Sequence, residues 1–188
     1  LIAKIKAHGI VEKALRWIQA WLADRKQKVI TQGAESSWKD VTSSVVQGSV
    51  LGPLCFSMYM NDLESRVSKK AIVSKFADDT KLIHPVVTNE DIDEMQQDIN
   101  HLQEWAEDWQ MRYNAGKCGV MHFGFKNPGH TYHMGNVDLS ETTEEKDLGV
   151  MVHKSLKVSK QCAAAAKKGN QALGMIKRNF AYRSREVV

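Results

Sequence analysis

Ala71-Ile72-Val73-Ser74-Lys75-Phe76-Ala77-Asp78-Asp79-Thr80-Lys81-Leu82-Ile83 sets two adjacent carboxylates between two apolar stretches. Neighbours within a strand point to opposite faces, so Asp78 and Asp79 share one small volume only where the chain turns. The stretch therefore predicts a β-hairpin with acids at its tip. Two like charges about 4 Å apart repel by roughly 4 kcal/mol at an effective dielectric near 20. Such a pair calls for a cation, and an oxygen-only donor set suits Mg²⁺ or Mn²⁺, the ions that organise phosphoryl and nucleotidyl transfer. The competing reading is a solvated turn, because Asp is common at turn positions for local hydrogen-bonding reasons.

Upstream, Val11, Leu15, Ile18 and Leu22 recur at helical spacing before the polar run Asp24-Arg25-Lys26-Gln27-Lys28, which predicts a helix and then a strand over Lys28–Thr31. Trp17 and Trp21 are expected to pack, since large aromatics bury most of their surface. From Leu51 to Leu63 apolar residues lie almost all round a helix, with Gly52-Pro53 at its start where proline costs least, so this helix is expected to be buried.

Downstream, Ile92, Met95, Ile99, Leu102, Ala106 and Trp109 step by three and four, and Thr88 and Asp91 stand in capping-box positions. Short alternating stretches follow at Val120–Phe123, Tyr132–Leu139 and Leu148–Val152, then a basic helix through Val158, Cys162 and Ala166 to Ile176. Helices mixed with antiparallel hairpins make an α+β domain.

The 188 residues allow a real core and fit one domain or a piece of a larger one; the initial Leu1 hints at a piece. The net charge of +4 is unevenly placed. From Lys154 onward Lys154, Lys157, Lys160, Lys167, Lys168, Lys177, Arg178, Arg183 and Arg185 face Glu186 alone, giving +8 there and −4 elsewhere. That asymmetry suits a phosphate backbone, although a solvated helix face or an acidic partner fits the composition too. Three unpaired cysteines, Cys55, Cys118 and Cys162, favour a reducing compartment. No apolar run reaches the roughly 18 residues a bilayer span needs and no leader pattern opens the chain, so it reads as soluble and intracellular.

Gln47-Gly48-Ser49-Val50-Leu51-Gly52-Pro53-Leu54, Tyr59-Met60-Asn61-Asp62-Leu63, Asn114-Ala115-Gly116-Lys117-Cys118 and Lys146-Asp147-Leu148-Gly149-Val150 accompany Phe76-Ala77-Asp78-Asp79. In this order and spacing they resemble the palm of reverse transcriptases from LINE-type, non-LTR retrotransposons of the jockey-like group. The resemblance implies a palm-like α+β fold over residues 1–153, with an antiparallel sheet and a catalytic hairpin packed on helices. Residues 154–188 would begin a helical thumb. The implied family activity is RNA-templated DNA synthesis by two-metal nucleotidyl transfer, with an RNA template, a DNA primer, dNTPs and Mg²⁺ or Mn²⁺ as partners. The resemblance also implies a ribonucleoprotein of the nucleus or cytoplasm.

Carried over by motif, Asp78 is a metal ligand and Asp79 its neighbour in the same site. Phe76 is expected to pack behind the turn and Ala77 to leave room for the primer end. Gln47, Gly48 and Ser49 would line the incoming nucleotide and template, with Gly48 permitting close backbone approach. Lys117 would stand near the pyrophosphate as general acid or charge stabiliser, with a solvated lysine as the competing reading. Asn114 would be a turn or cap residue. Leu148, Gly149 and Val150 match the primer-grip hairpin, and Lys154, Lys157, Lys160, Lys167, Lys168, Lys177 and Arg178 would contact the nucleic-acid backbone.

Two departures carry consequences. The family pattern Ser-Gly-Val-Pro-Gln-Gly-Ser reads Ser43-Ser44-Val45-Val46-Gln47-Gly48-Ser49 here. If the lost glycine served a positive φ, Ser44 is strained by about 1 kcal/mol or more and the loop is expected to shift. The family's further catalytic Asp lies on a strand upstream of the Trp17 helix, before the first residue given. The chain alone is therefore expected to bind the ions poorly and to be inactive, with Asp62 the next acid to consider. A co-opted, non-catalytic nucleic-acid binder and an unrelated α+β interaction module remain alternatives, but the module leaves the co-occurring motifs unexplained. A zinc site at His130 and His133, with His122 and Cys118 nearby, ranks far lower because paired cysteines are lacking.

Overall fold

Three helices enclose an apolar core in the first unit, Leu1–His84, in the computed structural model, which describes residues 1–180. Helix α1 (Ile2–Ala7) and helix α2 (Glu12–Leu22) each turn an apolar stripe toward helix α3 (Leu51–Met60). Ile5, Ile18 and Cys55 are buried where the stripes meet, ringed by Leu15, Trp21, Leu22, Val45 and Met58. Each large aliphatic side chain buried in this way contributes about 1.5–3 kcal/mol.

A buried charge ties the ends of α1 and α3 together. The Lys4 ammonium donates to the Tyr59 carbonyl at 2.7 Å and to Asp62 Oδ1 at 2.6 Å, and lies 4.7 Å from the Tyr59 ring centre. Burial pulls the Lys4 pKa below the usual lysine value, opposed by the hydrogen bond and charge of Asp62.

Three sequence expectations are corrected in this unit. The α3 helix, continued by a 3₁₀ helix over Asn61–Arg66, is buried on one side only: Gly52, Cys55, Met60 and Leu63 are inside, whereas Leu54 is 50 % exposed. Helix α1 packs on it, and α2 joins through Ile18 in the shared core, so an all-round apolar helix keeps an uncovered side. Trp17 is 55 % exposed and stacks on Trp21 at 6.0 Å, because position 17 falls outside the Leu15, Ile18 and Leu22 stripe. The strand expected over Lys28–Thr31 is reduced to Ile30–Thr31, with a separate short strand ahead of it. Strand β1 (Lys26–Gln27) and strand β2 (Ile30–Thr31) pair with different partners, β2 with strand β3 (Ala34–Glu35) and β1 with strand β4 (Lys39–Asp40). Gln32 and Gly33, at φ +48° and +82°, make the turn that folds β2 onto β3. Strands β5 (Ile72–Phe76) and β6 (Asp79–Ile83) complete the unit.

The second unit starts at Pro85. Helix α4 (Asn89–Asp108) begins with the expected capping box: the Asp91 amide donates to Thr88 Oγ1 at 3.3 Å and the Thr88 amide to Asp91 Oδ2 at 2.9 Å. An aspartate closes the box, its shorter side chain still reaching the cap amide. Ile99, Leu102 and Ala106 are buried as their spacing predicts, and Trp105, beside Ala106, is the largest fully buried side chain among the described residues.

Tyr132 and Leu139 are buried at the two ends of a small hairpin of strands β8 (His133–Met134) and β9 (Val137–Asp138). The Gln96 side chain binds both main-chain groups of His133, at 2.8 and 3.0 Å, and so fixes β8 to α4. Strand β7 (Gly119–Val120) pairs in parallel with strand β10 (Ser140–Glu141), which shortens the stretch expected over Val120–Phe123. Strands β11 (Glu144–Asp147) and β12 (Val150–His153) form a further hairpin, and helix α5 (Ser159–Asn179) packs beside β12. The described residues thus combine five α-helices and two short 3₁₀ helices with small, mainly antiparallel two-stranded pairings, and none of these helices is long and apolar enough to cross a membrane.

Candidate active site

The register of β5 and β6 pairs Ile72 with Ile83 and ends on Phe76 with Asp79, leaving Ala77 and Asp78 as a two-residue turn. Ala77 has φ +53°, the sign that the first position of a II′ hairpin turn requires and that glycine usually supplies. An alanine there stores about 1 kcal/mol of backbone strain at the tip. Asp78 and Asp79 are both exposed, on adjacent positions, with Asp78 in the turn and Asp79 opening β6.

Side chains alternate across the hairpin. Val73, Lys75, Thr80 and Leu82 are half-buried, while Ile72, Phe76, Asp79 and Ile83 face outward. This corrects the expectation for Phe76, which is 62 % exposed and shares the outward face with Asp79. The cause is register: a residue paired with Asp79 lies on the face opposite Lys75. The inward face meets the end of α3 through Lys75, whose ammonium donates to the Met60 carbonyl at 3.1 Å and pairs with Glu64 at 2.9 Å. A cleft of ≈ 250 Å³ lies there, lined by Phe56, Ser57, Met60, Asn61, Glu64, Lys75 and Ala77. Lys75 escaped the sequence reading. Its signal was a lysine at an inward position between the apolar residues Val73 and Leu82.

Gln47, Gly48 and Ser49 form the loop that leads into α3. Gln47 and Gly48 are exposed and Gly48 takes φ +80°. The Ser49 hydroxyl is already engaged: it donates to the Val46 carbonyl at 2.6 Å and accepts from the Gly52 amide at 3.0 Å, capping the start of α3. Ser44 stands at φ +67°, as the substitution of the family glycine implied. The strained turn is held by Arg25, which donates from Nη2 to the Ser43 and Ser44 carbonyls at 3.1 and 2.7 Å, and from Nε to the Leu22 carbonyl at 3.0 Å.

Gly52 is where the loop and helix touch. A Cβ there would lie 2.8 Å from the Val46 carbonyl oxygen and 2.9 Å from Ser49 Oγ. Gly52→Ala is expected to destabilise the protein by about 1–3 kcal/mol through this overpacking, read as a lower urea midpoint at unchanged m-value. A midpoint equal to wild type would mean that the loop yields freely.

In the second unit, Lys117 ends a 3₁₀ turn, Ala115–Lys117, that follows Asn114 at its cap position. Lys117 is exposed, and its amide donates to the Asn114 carbonyl at 2.8 Å. Leu148 and Gly149, at φ +45° and +90°, are the I′ turn between β11 and β12. Of the stretch expected as strand from Leu148, only Val150 onward is strand, because the turn consumes the first two residues. Lys154, Lys157, Lys167, Lys168, Lys177 and Arg178 are exposed, and Lys160 pairs with Glu144 at 3.1 Å. Arg183 and Arg185 lie outside the described residues.

Among the described residues no group of three or more His, Cys, Asp or Glu is placed to hold a metal ion. His122 and His130 instead pack on the Tyr132 ring, at 6.4 and 5.1 Å, and burial raises the pKa of the Cys118 thiol. Asp62 is committed to Lys4. Asp78 and Asp79 still fit Mg²⁺, which takes one or two carboxylates and completes its sphere with water and phosphate oxygens.

Residues 1–173 match the family model described as reverse transcriptase (RNA-dependent DNA polymerase). The RNA-directed DNA polymerase from mobile element jockey of Drosophila funebris is 33 % identical over 162 residues, covering 80 % of this chain and 18 % of that protein. The probable RNA-directed DNA polymerase from transposon X-element of Drosophila melanogaster is 29 % identical over 149 residues, covering 76 % of this chain and 16 % of its own length. The chain thus spans less than a fifth of these curated relatives.

Proposed function

Because this chain belongs to the reverse transcriptase family, we propose that it forms part of the palm of an RNA-templated DNA polymerase of a jockey-like mobile element, with Asp78 and Asp79 as its metal-binding acids. The observation that carries this reading is the hairpin tip: the family's paired acids stand exposed and adjacent at a two-residue turn. Mg²⁺ or Mn²⁺ held there supplies charge neutralisation at the transferred phosphate.

The chain's own groups do the rest. Gln47 and the backbone at Gly48 line the template and incoming nucleotide, whereas Ser49 acts by holding the loop against α3. Ala77 keeps the tip small beside the primer end. Lys117 supplies a cation for the leaving pyrophosphate, and its exposure leaves it free to reach a ligand. The turn at Leu148-Gly149-Val150 presents a primer-grip hairpin. Residues 1–153 make up the palm portion, and the basic segment from Lys154 begins a thumb that tracks an RNA·DNA duplex through phosphate contacts.

A Mn²⁺ titration of the chain followed by NMR tests the acid pair. Paramagnetic broadening is expected to concentrate on the amides of residues 77–80 and to vanish there in Asp78→Ala. Equal broadening in that variant would sink the assignment.

A further inference from the structure

We propose that Lys75 is a positioning residue for the acidic tip, fixing the Ala77-Asp78 turn to the end of α3. The inference rests on the reading of Asp78 and Asp79 as the metal-binding acids, and it adds how they are held in place. A two-stranded hairpin is marginally stable by itself, so its tip needs support from outside. Lys75 lies two residues before the turn, and its side chain is 18 % exposed.

Its ammonium reaches two acceptors of different kinds. The Met60 carbonyl, at 3.1 Å, belongs to the last residue of α3, where the α-helix passes into the 3₁₀ helix Asn61–Arg66, and a carbonyl oxygen has two lone pairs with which to accept. Glu64, at 2.9 Å, is 59 % exposed, so that ion pair alone holds little. The charge-assisted bond to the carbonyl is the directional contact. Opposite Lys75 in the register stands Thr80, whose Oγ1 is buried with no hydrogen-bond partner, so the lysine supplies the inward polar anchor at this level. Placement matters because catalytic groups tolerate about 0.5 Å of error and a 1 Å displacement can lose about 10²-fold in rate.

Residual dipolar couplings on the 188-residue chain read the anchor directly. In wild type and Lys75→Arg, the amide couplings of residues 72–83 and of residues 51–60 are expected to fit one common alignment tensor. Lys75→Met is expected to lose that common fit while the hairpin's cross-strand amides stay protected from exchange. A common tensor retained in Lys75→Met would overturn the proposal. So would the absence, in wild type, of a scalar coupling across the hydrogen bond between Lys75 Nζ and the Met60 carbonyl carbon, a measurement that needs no variant to fold. The Mn²⁺ titration judges the acids separately: a wild type without local broadening defeats the metal reading and leaves the tensor comparison to decide for or against Lys75.

Discussion

Asp78→Ala is expected to abolish RNA-templated primer extension in a chimera in which this chain replaces the matching segment of the Drosophila funebris jockey polymerase. The loss should be about 10³-fold or more, equivalent to roughly 4 kcal/mol of transition-state stabilisation. The argument is electrostatic. A metal-binding acid in the tip lets a cation neutralise charge that develops on the transferred phosphate, and alanine removes both the donor and the charge. Asp79→Ala is expected to cost less, because Asp79 shares the outward face with Phe76 while Asp78 occupies the turn itself. The 188-residue chain alone is expected to extend no primer, since its described residues bring no third metal-ligating side chain to the pair. Extension by the Asp78→Ala chimera at more than a tenth of the unsubstituted rate would remove Asp78 from the chemistry.

Replacing Lys154, Lys157, Lys167 and Lys168 with glutamine is expected to remove most of the affinity of this chain for an RNA·DNA duplex. These side chains are exposed, whereas Lys160 must first leave Glu144 before it can meet a phosphate. Each phosphate neutralised adds about −0.9 to the log-log salt slope on B-DNA and about −0.7 on single strands. Four such contacts predict a fall in affinity of about 10²-fold between 50 and 200 mM salt, and a correspondingly flatter slope in the quadruple variant. Truncation after Val152 should act in the same direction, but it also removes the helix that packs on β12, so the glutamine variant is the cleaner measurement. Asp78→Ala should leave binding intact or raise it by deleting a negative charge. Salt-insensitive binding, or unchanged affinity in the quadruple variant, would make the basic segment an ordinary solvated helix.

Local chemistry decided much of this protein before any packing was considered. Thr88 and Asp91 cap α4 because both partners of the box lie within four residues of each other. The acids at Asp78 and Asp79 stand at a turn because apolar runs on either side can only pair if the chain reverses between them. Ser44 takes a positive φ, the condition under which the replaced family glycine left it strained. The register of motifs also placed the chain in its family, which the match over residues 1–173 bears out.

Tertiary structure decided what faces what. Phe76 points outward, Trp17 is exposed and α3 is covered on one side only, because each depends on which distant element supplies a neighbour. Arg25 and Lys75, unremarkable as charges in a sequence, reach main-chain carbonyls across intervals that periodicity does not report. Hydrogen-bonded turns and caps are closed by residues a few positions apart and so can be read in order. Burial and side-chain anchoring depend on contacts between residues far apart in the chain, and these exist only after the helices have packed.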